Sequence, residues 1–221
     1  MAKLTVMSAG RSSLTGHRRR RRTPEVAERE IIAAAEELLR ERPFRELTVD
    51  EVMRRTELSR PSFYVYFRDR HHLVLRVVEH LGTELWTMSD RWFAGTGPGH
   101  LRVRDAIEGV VAVFERHGAV LHALADAATV DPDVELAYGA LVQGFTDATA
   151  RHIEAEIDAG NILPLDARET AKALILMEER YLISSLGRTP TAAPETVVDT
   201  LAAIWTRTLY GAPALASPPA S

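Results

Sequence analysis

The chain has no cysteine among its 221 residues. Disulfide stapling and thiolate metal sites are therefore excluded, and packing alone must hold any core. No apolar run approaches the roughly 18 residues that a membrane span requires. The opening MAKLTVMSAG lacks the apolar region of a secretory signal, so a cytoplasmic location is expected. Enzyme signatures are missing as well: there is no H-E-x-x-H, no G-x-S-x-G and no P-loop. The eight histidines are scattered, His117 and His122 are five apart and share no helical face, and His71-His72 read as surface neighbours. The glycine cluster Gly95-Thr96-Gly97-Pro98-Gly99 follows a helical pattern rather than a strand, so it reads as a linker and not a phosphate cradle. No catalytic residue, metal or cofactor is expected. Sustained strand alternation is also absent, which leaves an all-α chain.

What is present is ordinary for a globular protein: 46% apolar and 26% charged residues. The net charge of −4 hides a division. Residues 1–82 hold 17 Lys+Arg against 12 Asp+Glu, a balance of +5, and residues 83–221 hold 10 against 19, a balance of −9. A basic front suits phosphate and an acidic rear does not. Clustering of Arg18 to Arg22 accounts for much of the excess.

Helix signals follow one another along the chain. Residues 1–22 lack apolar periodicity and read as a disordered basic tail. Thr23-Pro24-Glu25 is a helix start, with Ile31, Ala34, Ala35, Leu38 and Leu39 on one face and Arg42-Pro43 as the stop. Thr48 to Glu51 forms a T-x-x-E capping box before Val49, Val52 and Met53. Ser59 caps a third helix with Pro61 in its first turn, and Phe63 and Phe67, four apart, face inward. Asp69 caps a longer fourth helix carrying Leu73, Val74, Val77, Val78, Leu81, Leu85 and Trp86. Five further apolar segments follow: 103–119, 121–129, 134–159, 167–186 and 194–210. Residues 212–221 read as a second disordered tail. The organisation expected is thus tail 1–22, head 23–70, helical body 71–211 and tail 212–221.

The stretch LTVDEVMRRTELSRPSFYVYFRDRHHL, residues 47–73, is written as a helix-turn-helix. Such a head needs a first turn that reaches base edges and a rear face locked to a scaffold. Arg60 offers a guanidinium fork to guanine, and Pro61 an apolar contact such as a thymine methyl. Thr48, Ser59, Ser62, Tyr64 and Tyr66 carry hydroxyls for phosphate oxygens, and Arg68 and Arg70 carry charge for them.

This pattern resembles the DNA-binding domain of TetR-family regulators over residues 25–81, and most closely the EthR group, through S-R-P-S-F-Y-V-Y-F. The likeness continues at Phe114 and His117, at MEERYLISSL (177–186) and at AIWTRTLYG (203–211). It implies an all-helical, Ω-shaped homodimer of about nine helices per subunit. Three N-terminal helices would bind DNA, and the last two would pair with their mates. It also implies an apolar ligand tunnel. Val103, Ile107, Val110 and Phe114 would form one wall, and Tyr138, Leu141, Val142, Phe145 and Thr149 a second. Ile175, Glu178, Glu179, Leu182 and Trp205 would complete it. Glu178 and Ile175 stand where the family carries amides, so the polar anchor differs. From the residues alone, Phe114, Phe145 and Trp205 lie on apolar helical faces and read more often as plain core. Glu178 and Glu179 read either as buried carboxylates in need of partners or as a solvated pair.

Two functional readings follow. The first is a transcriptional repressor that binds a palindromic DNA operator as a homodimer and is released by a small hydrophobic effector. The second is a helical small-molecule carrier or enzyme with an incidental helix-turn-helix.

Overall fold

The structure, a computed structural model, describes residues 23–211. Both expected tails, 1–22 and 212–221, lie outside the described residues. Within them the chain is helical throughout, with no strand. The elements are α1 (Pro24–Glu41), a 3-10 turn (Phe44–Glu46), α2 (Val49–Arg54), α3 (Arg60–Tyr66), α4 (Arg70–Phe93), α5 (Gly99–Ala128), α6 (Pro132–Asp158), α7 (Ala167–Leu186) and α8 (Pro194–Tyr210). No described helix is long and apolar enough to cross a membrane.

The starts and stops obey local chemistry. Pro24 opens α1, and Arg42 turns extended before Pro43 to end it. Thr48 caps α2: its Oγ1 accepts from the Glu51 N–H at 3.3 Å and donates to Glu51 Oε2 at 2.8 Å. Asp69 accepts from the His72 N–H at 2.8 Å and opens α4, and that bond holds its carboxyl below the usual range. Ser59 occupies the cap position of α3, but its hydroxyl bonds the Ser62 hydroxyl at 2.8 Å instead of a backbone N–H.

The described residues contain eight α-helices, not about nine. The segments expected at 103–119 and 121–129 are one continuous helix, α5. Gly118 does not break it. A Cβ there would fall 1.9 Å from the Leu186 carbonyl oxygen, so this glycine lets α5 press against the end of α7. Val120, at the expected gap, is fully buried.

One continuous apolar core runs from Ile31 in α1 to Leu209 in α8. The head joins it through Phe63 and Phe67, exposed by 0% and 1%, whose rings pack 5.3 Å apart. The 24 residues of α4, about 36 Å of helix, begin beside the head and end among the helices of the body. Head and body are thus one packed unit rather than beads on a linker.

Candidate functional site

Two regions concentrate chemistry. At the first, α2 and α3 form the helix-turn-helix. Thr48, Arg60, Tyr64, Arg68 and Arg70 border one shallow surface concavity of about 440 Å³ between the two helices. Arg60, Pro61 and Tyr64 are exposed in or near the first turn of α3. The Arg60 Nε lies 2.7 Å from Asp50 Oδ1, and both side chains are more than half exposed. This pair aims the guanidinium across α2, and solvent screening makes it cheap to exchange for DNA.

Other expected DNA contacts are partly occupied. Arg70 Nη1 donates to the carbonyls of Arg45 and Leu47, each at 3.2 Å, and its guanidinium sits 5.1 Å from the Phe44 ring centre. It therefore also fixes the 3-10 turn against the head. Tyr66 is half-buried and packs on the core, unlike the exposed Tyr64. Ser62 is half-buried beside Ser59.

Side chains tie this head to the body. Glu36 of α1 is buried, with His80 Nδ1 of α4 at 3.2 Å and His117 Nδ1 of α5 at 3.4 Å. His71, expected at the surface, is half-buried, 3.1 Å from Asp131 at the start of α6 and edge-on to Phe44. Among the described residues, no group of three or more His, Asp or Glu is placed to hold a metal ion.

The second region is a pair of adjoining, partly open cavities in the body. The outer one, about 80 Å³, is lined by Val110, Phe114, Tyr138, Leu141, Val142, Phe145, Ile175, Glu178, Glu179 and Leu182. The inner one, about 40 Å³, adds Val103, Ile107, Thr149 and Trp205. Both exceed the roughly 10–15 Å³ that one water needs, so neither is a mere packing defect. All fourteen positions named for the tunnel line one or both spaces. Phe114 and Trp205 are also core residues, so the two readings of them coincide. Sequence reasoning missed the α4 contribution: Leu85 and Ser89 on the outer cavity, and Ser89, Trp92 and Phe93 on the inner one. Ser89 set among apolar and aromatic α4 residues was the available signal. Leu121 and Ala106 were missed as well.

Polar groups in this space are few. The Tyr138 hydroxyl donates to Glu179 Oε1 at 2.8 Å. Burial, then the Glu179 charge, pushes the phenol well above its ordinary range. Glu178 lines both cavities, so its remaining exposure is to them. Burial raises its carboxyl to about 7, opposed in part by the neighbouring Trp205 indole. The Trp205 Nε1–H is itself buried without a formed hydrogen bond. It points to that carboxyl but falls short of a well-formed hydrogen bond. Glu178 and Glu179 are both half-buried; Glu179 accepts from Tyr138, and Glu178 lines both cavities.

Comparison with known proteins agrees with this geometry. The family model for bacterial regulatory proteins of the tetR family matches residues 31–77. The model for the C-terminal domain of transcriptional regulator EthR matches residues 103–211. The chain is 34% identical to the HTH-type transcriptional regulator EthR of Mycobacterium tuberculosis over 215 residues, covering 94% of this chain and 99% of that one. The counterpart from Mycolicibacterium smegmatis is 31% identical over 212 residues, covering 93% and 97%. The fold is similar to a TetR-like transcriptional regulator from Rhodococcus, with a TM-score of 0.67 at 18% identity over 85% of this chain and 97% of that one. It is also similar to the TetR-family regulator PfmR from Thermus thermophilus, with a TM-score of 0.66 at 15% identity over 80% and 97%. The chain belongs to the TetR family of bacterial transcriptional regulators, within its EthR-like group.

Proposed function

We propose that the protein is a cytoplasmic, ligand-responsive repressor. As a homodimer it binds a palindromic operator and leaves it when a small hydrophobic effector fills the cavities. One observation carries this reading: α4 starts at the reading head and ends as a wall of both cavities. A ligand that needs more room must push Leu85, Ser89, Trp92 or Phe93, and α4 passes that displacement to the head. The Glu36, His80 and His117 contacts ensure that α1 follows.

Arg60 and Pro61 read bases, Thr48, Ser59 and Tyr64 fix phosphates, and Arg68 supplies charge. Dimerisation through α7 and α8 is supported by Leu176 and Ile204, apolar side chains left 47% and 39% exposed there. Regulation of transcription needs no catalytic residue.

Selection of bound fragments from the source genome supplies the operator. Its affinity is then followed by fluorescence anisotropy while hydrophobic amides and esters are added. Compounds that raise the melting temperature should weaken DNA binding by about 1–3 kcal/mol. A helical carrier with an incidental head would bind the same compounds and leave operator affinity unchanged, and that outcome would overturn the proposal.

A further inference from the structure

The inner cavity combines two features that a purely hydrophobic effector would not use. Its walls carry four aromatic rings, Trp92, Phe93, Phe145 and Trp205. Trp92 and Trp205 stand edge to face, with ring centres 5.4 Å apart. Its ionisable group is the carboxyl of Glu178, and neither cavity is lined by Lys, Arg or His among the described residues. The remaining ionisable linings, Tyr138 and Glu179, are already bonded to each other in the outer cavity.

Aromatic faces attract cations through their quadrupoles, and the attraction grows when the site is dry. A lone acid at the same place supplies the counter-charge. Resting on the reading that these cavities hold the effector, we propose that the effector is an amphipathic amine. Its ammonium head sits in the inner cavity against Glu178 and the aromatic rings, and its apolar tail fills the outer cavity.

An incoming cation has a second consequence. It favours the ionised carboxylate, which becomes a stronger acceptor for the neighbouring Trp205 Nε1–H, a donor without a well-formed hydrogen bond. A neutral amide could bond the same two groups but gains nothing from the four rings. An anion meets an acid with no basic side chain lining the space. The size of the inner cavity, about 40 Å³, suits a compact head such as a primary ammonium.

The test is calorimetric titration of the full chain at pH 7.5 with octylamine, octanamide and octanoate, three probes with the same tail. Octylamine should bind at least tenfold tighter than octanamide, and octanoate weakest. In Glu178→Gln, a near-isosteric change that removes the buried acid, the amine advantage should fall at least tenfold while octanamide still binds. Glu178→Asp, which keeps the charge, should restore part of the preference. The proposal is overturned if octanamide matches octylamine in the parent chain, or if the preference persists in Glu178→Gln. Operator anisotropy run alongside separates the two readings. Octanamide that binds and releases DNA with no amine preference removes only the amine assignment. Probes that bind with the predicted preference but never alter DNA affinity remove the switch and leave the amine site standing.

Discussion

The reading head and the cavities treat their polar groups in opposite ways. At the head, Thr48 and Glu51 bond each other, Ser59 bonds Ser62, Arg60 meets Asp50, and Arg70 serves two carbonyls. At the cavities, the Glu178 carboxyl and the Trp205 N–H face each other without a well-formed hydrogen bond. The head is pre-organised, so binding DNA exchanges exposed, weakly held pairs. The cavities set that loosely held pair among apolar and aromatic walls, so a ligand that engages it gains more. A regulator built this way reads sequence with a rigid tool and senses chemistry with an incomplete one.

The largest effect should come from the join between the two regions. Phe63→Ala removes a fully buried ring shared with the common core and should cost about 3–5 kcal/mol of stability. Because one core spans both regions, denaturant unfolding should remain a single transition. A separate early loss of the head would show that head and body are energetically independent.

Glu178→Gln tests the cavity side through pH. Burial holds this carboxyl near 7 against an ordinary value of 4.5, so the folded state binds its proton more tightly than the unfolded one. That group costs nothing below about pH 4.5, destabilises progressively as pH rises toward 7, and above 7 carries its full cost of roughly 3 kcal/mol. The glutamine variant should therefore be more stable than the parent at pH 8 and indistinguishable at pH 4, as followed by urea unfolding. Equal stability at both pH values would mean that the carboxyl is solvated.

Arg60→Ala isolates the head. Loss of its fork should weaken specific operator binding by about 1–3 kcal/mol, with stability changed by less than about 0.5 kcal/mol. Anisotropy and thermal melts measure the two separately, and unaltered sequence-specific binding would reassign the base reader. Thr48→Ala is the smallest of the four. It removes the α2 cap, worth about 0.5–2 kcal/mol of stability, and any larger loss confined to DNA affinity would mark Thr48 as a phosphate contact as well.

Legibility differed between the same two regions. The head could be read from local rules, because caps, a first-turn proline and a four-residue aromatic spacing act within a few residues. The cavity positions came from family resemblance, since an apolar helical face looks alike whether it meets a neighbour or a void. The α4 wall was hard to read for that reason: Leu85 and Trp92 fit a core stripe equally well, and Ser89 alone stood out. Residue 120, expected as a gap between two helices, is instead a buried position of a continuous α5, and only the Leu186 carbonyl explains why a glycine stands nearby at 118.

By itself the sequence determined the all-helical class, the reading head with its exposed Arg60 and inward Phe63 and Phe67, and the basic front with its acidic rear. These depend on period, capping and charge, which are properties of neighbouring residues. Only the tertiary structure decided that Glu178 lines both cavities while Glu179 is bonded to Tyr138, that α5 runs unbroken, and that α4 links the head to the cavities. Those facts depend on which helices meet, and packing makes the same residue type a tyrosine-bonded acid at one position and a cavity-lining one at the next.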